Sequence, residues 1–244
     1  MKYRSILPAV GLAVAMPLGA VETDGGWEGE LELGLLVTTG NTEETNLNGG
    51  FNLTRDWQTW RTQYEADALY SRSEDITTAE RYRGAAQADY KLDERQFLFL
   101  RGSYEDDRFS GYDFQSSATT GYGNRVWEQN ENSFLELSAG LGYRYDRLEE
   151  PDSDGNNADD EAIARLAARL DYELTPTSLF RQELGTEVGL EENNVVTISE
   201  TSIQADFLTA FALKAAYRMK HNSDAPAGSE SLDTETSFTL LYAF

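Results

Sequence analysis

Residues 134–147 read FLELSAGLGYRYDR. Leu135, Leu137, Ala139, Leu141, Tyr143 and Tyr145 share one parity, while Glu136, Ser138, Gly140, Gly142, Arg144 and Asp146 share the other. A period of two is the signature of a β-strand, whose successive side chains point to opposite faces. The 3.6-residue period of a helix would scatter both sets around its circumference. One face of this strand is apolar and the other carries charge. Ala164, Leu166, Ala168, Leu170, Tyr172 and Leu174 repeat the pattern opposite Arg165, Arg169, Asp171 and Glu173.

On both sides of these stretches the alternation recurs, interrupted by short clusters of Gly, Asn, Asp, Glu and Pro. It predicts about twelve strands: 27–38, 45–55, 60–71, 81–92, 96–105, 116–127, 134–147, 162–174, 179–190, 196–206, 210–220 and 234–244. The sixth and tenth offer no clean apolar face. An even count suits an antiparallel barrel closed on itself, at about 19 residues per strand and connection. No domain boundary interrupts residues 21–244. With the N-terminus on the periplasmic side, the outward connections include the long acidic segments Ser71 to Glu80, Asp106 to Phe114, Leu148 to Glu161 and His221 to Asp233. Opposite turns such as Asp93-Glu94-Arg95 and Thr175-Pro176-Thr177 are tighter.

The first twenty residues differ from the rest. Lys2 and Arg4 precede an apolar run from Ile6 that ends at Gly19 and Ala20. This is the pattern of a secretory signal peptide cleaved after Ala20, and Pro8 and Pro17 make the run too short and too broken to span a membrane as a helix. The chain is expected to be exported.

Charge excludes several functions. Among 244 residues, 20 Lys+Arg face 43 Asp+Glu, a net charge of -23 that repels phosphate and argues against nucleic acid as a partner. There is no cysteine and a single histidine, so neither a thiolate nor a histidine-rich metal centre can be built.

Alternation also occurs in soluble sandwiches, and charge placement separates the two classes. In a membrane barrel the apolar face meets lipid and the charged face lines the lumen. Here that face mixes both signs: Arg61, Arg81, Arg83, Arg101, Arg144, Arg165, Arg169, Arg181, Lys214 and Arg218 against Glu65, Asp67, Asp89, Glu105, Glu136, Asp171, Glu173, Glu183 and Glu187. Cross-strand ion pairs are expected. Trp27, Trp60, Tyr70, Tyr90, Trp127, Tyr172 and Tyr242 sit near strand ends, where interfacial girdles belong. Ala66, Ala68, Ala86 and Ala88 are small for a lipid face. Phe238, Leu240, Tyr242 and Phe244 alternate to a C-terminal Phe, the form of a terminal strand through which a barrel-assembly machinery recognises its clients.

Several motifs carry a family resemblance. They are Trp27-Glu28-Gly29-Glu30-Leu31-Glu32-Leu33-Gly34 followed by Thr39-Gly40-Asn41-Thr42, then Tyr104-Glu105-Asp106-Asp107-Arg108-Phe109-Ser110-Gly111-Tyr112-Asp113, Gly121-Tyr122-Gly123 and the terminal Leu241-Tyr242-Ala243-Phe244. In this order the chain resembles the YdiY-type family of salt-induced outer-membrane proteins, over nearly its whole length after the leader. The resemblance implies an outer-membrane barrel and brings no catalytic residues with it.

Candidate chemistry is sparse. Glu150, Asp152, Asp154 and Gly155 with Glu161 at the twelfth position have the spacing of an EF-hand calcium loop. Glu150 departs from the usual Asp, no helices flank the segment, and a solvated acidic loop is the better reading, so no metal site is assigned. Phospholipid hydrolysis would need a histidine, but His221 and its neighbour Asn222 point to opposite faces of a strand. No catalytic or cofactor-binding residue is assigned and no cofactor is expected. Gly121-Tyr122-Gly123 and Gly140-Leu141-Gly142 read as close packing or a bend in the wall and not as phosphate loops. The expected protein is an outer-membrane barrel with a narrow charged lumen and an envelope-adapting role, in contact with lipid and lipopolysaccharide; a small-solute, porin-like channel is the alternative. The excess negative charge is expected on the rims, at Glu43, Glu44, Glu74, Asp75, Glu149, Glu150, Asp152, Asp154, Asp159, Asp160, Glu161, Glu191 and Glu192.

Overall fold

The computed structural model describes residues 26–38, 44–73, 76–151, 155–191, 194–226 and 228–244. The leader Met1 to Ala20 lies outside them. Among the described residues the chain forms β1 (Trp27–Thr38), β2 (Glu44–Asp56), β3 (Trp60–Ser73), β4 (Ile76–Lys91), β5 (Gln96–Asp107), β6 (Tyr112–Asn130), β7 (Ser133–Leu148), β8 (Ala158–Thr175), β9 (Ser178–Gly189), β10 (Val195–Leu208), β11 (Phe211–Asn222) and β12 (Leu232–Ala243). Each strand pairs antiparallel with its neighbours in sequence, and β1 pairs with β12 to close a twelve-stranded barrel.

Closure gives every strand a neighbour on both sides, the arrangement that satisfies backbone groups where water is absent. The seam is the shortest pairing. It runs from Glu30↔Ala243 to Leu33↔Leu240, whereas β1 and β2 pair along their full length from Trp27↔Arg55 to Thr38↔Glu44. Gly29 and Phe244 extend the seam by exchanging two backbone hydrogen bonds of 2.9 Å.

The two ends differ. At the end where β1 begins and β12 finishes, called the terminal end, the turns are short, spanning 57–59, 92–95, 131–132, 176–177 and 209–210. At the other end the connections 149–157 and 223–231 are longer, whereas the loop expected from Asp106 to Phe114 shrinks to the turn 108–111 because β5 continues to Asp107 and β6 starts at Tyr112. The strands also run further than the alternation indicates. The segment Ser71 to Glu80, expected as a loop, is mostly strand: β3 continues to Ser73 and β4 begins at Ile76, with a bulge at Ser71/Arg72. Its polar side chains bond to one another, with Thr78 Oγ1 donating to Ser71 Oγ at 3.0 Å and Ser71 to Asn46. A strand that emerges from lipid into water loses its apolar face while keeping its ladder, and so reads as a loop. The sixth and tenth strands are present despite their weak patterns, and β6 is the longest at 19 residues.

The outward parity carries Leu31, Leu33, Leu35, Leu98, Leu100, Leu141, Leu166, Leu184, Leu213 and Phe238, all exposed. A water-soluble surface does not hold an apolar belt of this extent. On β3 the outward residues between Trp60 and Tyr70 are Thr62, Tyr64, Ala66 and Ala68. Ten residues of strand at roughly 3.3 Å each, tilted by about 40°, rise about 25 Å, the height of the apolar band of a transmembrane barrel. Aromatic side chains mark both rims of this band. Trp60 and Tyr90 pack edge to face at 5.1 Å, and Trp127 stacks on Tyr172 at 6.3 Å at the terminal end. Tyr104, Phe114 and Tyr145 form a chain with spacings of 5.5 and 5.9 Å toward the loop end. The fold is a transmembrane antiparallel β-barrel of outer-membrane type.

Candidate functional site: a charged lumen bridged by ion pairs

Alternation places the second parity of every strand inside the barrel, and there the charges anticipated from the sequence meet. Some pair between adjacent strands. Arg61 Nε lies 2.7 Å from Asp89 on β4, Arg83 Nε donates to Asp67 at 2.6 Å, and Asp171 accepts from Arg181 on β9 at 2.9 Å as well as from Arg169 on its own strand at 3.0 Å. Others reach strands further round the barrel or across the bore. Arg61 Nη2 reaches Glu136 on β7 at 3.3 Å, Arg81 on β4 reaches Glu235 on β12 at 2.6 Å, and Lys220 on β11 pairs with Glu105 on β5. Lys214 on β11 bridges Glu32 on β1 at 2.9 Å and Glu200 on the adjacent β10 at 3.2 Å. In a confined space of low dielectric a partnered cation is tolerated where a lone one is not, and the guanidinium fork lets one Arg serve two acids.

These bridges divide the interior. A cavity of 270 Å³ lies against β3 to β11, and one of 610 Å³ lies against β1 to β4 and β8 to β12. Glu65, Asp67, Arg83, Arg169, Glu183 and Glu200 line both, so the boundary between the chambers is itself a band of mixed charge.

Both ends are narrowed by larger side chains. Toward the loop end, Asn222 Nδ2 donates to Tyr112 Oη across the bore at 3.2 Å, Lys220 Nζ to Gln115 at 2.7 Å, and Gln115 to Asp146 at 3.1 Å. Toward the terminal end, Phe97, Phe99 and Phe134 are buried inside the barrel, with Arg61 5.0 Å from the Phe97 ring and Arg125 4.1 Å from the Phe134 ring. Sequence reasoning missed these rings. β5 is apolar on both parities from Phe97 to Leu100, so its pattern does not tell inside from outside. The usable signal lay in the facing glycines. A Cβ on Gly123 would strike the Phe97 ring, and one on Gly140 would strike Phe99 at 2.9 Å. The Gly-x-Gly runs of β6 and β7 thus make room for neighbours, as close packing requires.

Other singled-out residues fall elsewhere. His221 is exposed on the outer face and pairs in register with Thr197 and Leu232, while Asn222 points inward, so the two share no site. Residues 152–154 of the acidic segment lie outside the described residues. Glu161, at the position that would close a calcium loop and counted among the rim charges, is instead a buried residue of β8 whose carboxylate faces Arg144 inside the barrel. Asp159 and Asp160 also belong to β8. The turn at 92–95 is held by Asp93, whose carboxylate accepts the backbone N–H of Arg95 at 2.8 Å and of Gln96 at 2.7 Å. These donors hold its pKa below the usual carboxylate value.

Among solved structures, the chain is similar to the NanC porin, at 14% identity over 90% of this chain and 99% of that one, with a TM-score of 0.49. It is also similar to the translocator domain of autotransporter NalP from Neisseria meningitidis, at 13% identity over 93% and 91% of the two chains, with a TM-score of 0.46. The barrel assignment rests on the strand pairing and not on these likenesses. Among curated proteins, the uncharacterized protein YdiY of Escherichia coli (strain K12) is 27% identical over 218 residues, covering 89% of this chain and 83% of its own length. The family model described as protein of unknown function, DUF481, matches residues 31–244, and the chain belongs to that family.

Proposed function

We propose that this protein is an exported resident of the outer membrane that adapts the cell envelope to salt, with a lumen held narrow by its own ion pairs. The observation that carries the reading is the set of bridges across the bore, above all Lys220 to Glu105 and Arg81 to Glu235. A general diffusion pore keeps its centre clear; here opposite walls are tied together. The leader Met1 to Ala20 supports export, and the terminal strand ending at Phe244 supports insertion by the barrel-assembly machinery. In this reading the acidic loops face outward among lipopolysaccharide, and salt shortens the reach of their mutual repulsion from about 10 Å at 0.1 M to about 3 Å at 1 M. Planar-bilayer recording tests the proposal: a folded barrel that is silent at low salt supports it, and large stable conductance steps under those conditions overturn it.

A small-solute channel is the second reading, favoured by the two chambers of 270 and 610 Å³. It requires the charged band between them to part. Conductance that appears reversibly as salt rises, with discrete steps, would favour this reading over a purely structural barrel.

A further inference from the structure

We infer that the larger chamber holds a binding site for a small oxyanion, a carboxylate or phosphate group, centred on Arg218 with Arg81 and Arg83 beside it. All three line the 610 Å³ cavity. The side chain of Arg218 is only 7% exposed, yet its Nε, Nη1 and Nη2 are buried without a hydrogen-bond partner. Its approach to a carboxylate is a long one, 3.8 Å from Nη2 to Glu105. Arg81 and Arg83 bring further positive charge to the same cavity wall.

The acids that register would offer Arg218 are engaged elsewhere. Glu200 and Glu235 stand directly opposite it on β10 and β12. Glu235 bonds to Arg81 at 2.6 Å and Glu200 to Lys214 at 3.2 Å, while Asp67 is held by Arg83 and Glu105 by Lys220. A buried cation left this way keeps its desolvation penalty unoffset unless a counter-charge arrives. The planar guanidinium matches the two oxygens of a carboxylate or phosphate, and such charge-assisted pairs are the stronger class of hydrogen bond. A chamber of this volume accommodates a small solute bearing that group. Binding here does not depend on whether any solute passes through the barrel.

The test uses the full-length barrel, folded in detergent micelles in a chloride-free buffer, titrated calorimetrically with inorganic phosphate and separately with acetate. Saturable binding is expected, weakened about tenfold or more in Arg218→Gln, the loss of one charge-assisted contact. Arg125→Gln, at the terminal end and outside the chamber, should bind as the parent does. Phosphate without acetate would point to a phosphate-bearing ligand, and the reverse to a carboxylate; either supports the site. If Arg218→Gln fails to fold, judged by heat-dependent gel mobility, Arg83→Gln replaces it with the same loss expected. Absence of saturable binding of both anions by the parent up to about 100 mM, the weak limit of specific binding, overturns the inference. Equal affinity in parent and Arg218→Gln does so as well.

Discussion

Lys220 and Glu105 pair from diametrically opposite walls of the barrel. β11 and β5 stand six positions apart in either direction around the closed order of twelve strands. Both side chains are nearly buried, so removing one leaves the other as an uncompensated charge. Glu105→Met should destabilise the barrel by about 3–5 kcal/mol, and Glu105→Met with Lys220→Met should recover most of that loss. Urea unfolding in micelles, run as a double-mutant cycle that includes Lys220→Met alone, checks both; a double variant destabilised by the sum of the two single losses would show that the pair is not coupled.

Leu166 faces outward in the middle of β8 and is 58% exposed. On a soluble protein Leu166→Arg would change stability little. In a bilayer the same change should cost about 2–4 kcal/mol, the penalty for a cation near the midplane of a barrel wall. Folding titrations into lipid vesicles measure the difference, and a near-zero effect would contradict a lipid-facing β8.

Gly121 and Gly102 should respond oppositely to the same substitution. A Cβ on Gly121 meets the backbone of Ala139 and Gly140, which cannot rotate away, whereas one on Gly102 meets nothing within 4 Å. Gly121→Ala is expected to destabilise by about 1–3 kcal/mol through overpacking. Gly102→Ala should be neutral or stabilising by up to about 1 kcal/mol, because it restricts the unfolded chain. Midpoints of heat-dependent mobility for the two variants bracket the parent if this is right.

Asp93 ties turn stability to pH. Its carboxylate is favoured in the folded state by the N–H groups of Arg95 and Gln96, so its folded pKa lies below the ordinary value of 3.8. The contribution is therefore complete above that ordinary value and is lost as pH falls through the lower folded one. Asp93→Asn keeps an acceptor without a titrating charge. Between pH 6 and pH 2 the parent should lose more stability than Asp93→Asn, measured by denaturant titration at each pH; identical pH dependence would remove Asp93 from the account.

Much of this architecture was legible in the alternation at 134–147 and 162–174, because lipid and lumen impose opposite chemistry on alternate residues. The inward position of Arg61, Arg81, Arg165 or Glu187 followed directly. The partners did not. Pairing between neighbouring strands is local, but Arg61 with Glu136 or Arg81 with Glu235 depends on how far opposite walls stand apart, which no strand encodes alone. Phe97 and Phe99 were ambiguous because both faces of their strand are apolar. Glu161 fitted a loop motif by spacing, yet β8 begins before it, and a polar strand outside the membrane is indistinguishable in composition from a loop. The family to which the chain belongs was likewise legible in its motifs.

The seam between β1 and β12 has a consequence for assembly. Every other pairing joins strands that follow one another in the chain, so the ribbon from β1 to β12 can grow as a succession of hairpins with small loop-closure entropy. Among the described strands only the β1–β12 ladder, extended by Gly29 and Phe244, pairs backbone from distant parts of the sequence. The kinetic barrier to a finished barrel therefore concentrates in one event, and that event waits for Phe244.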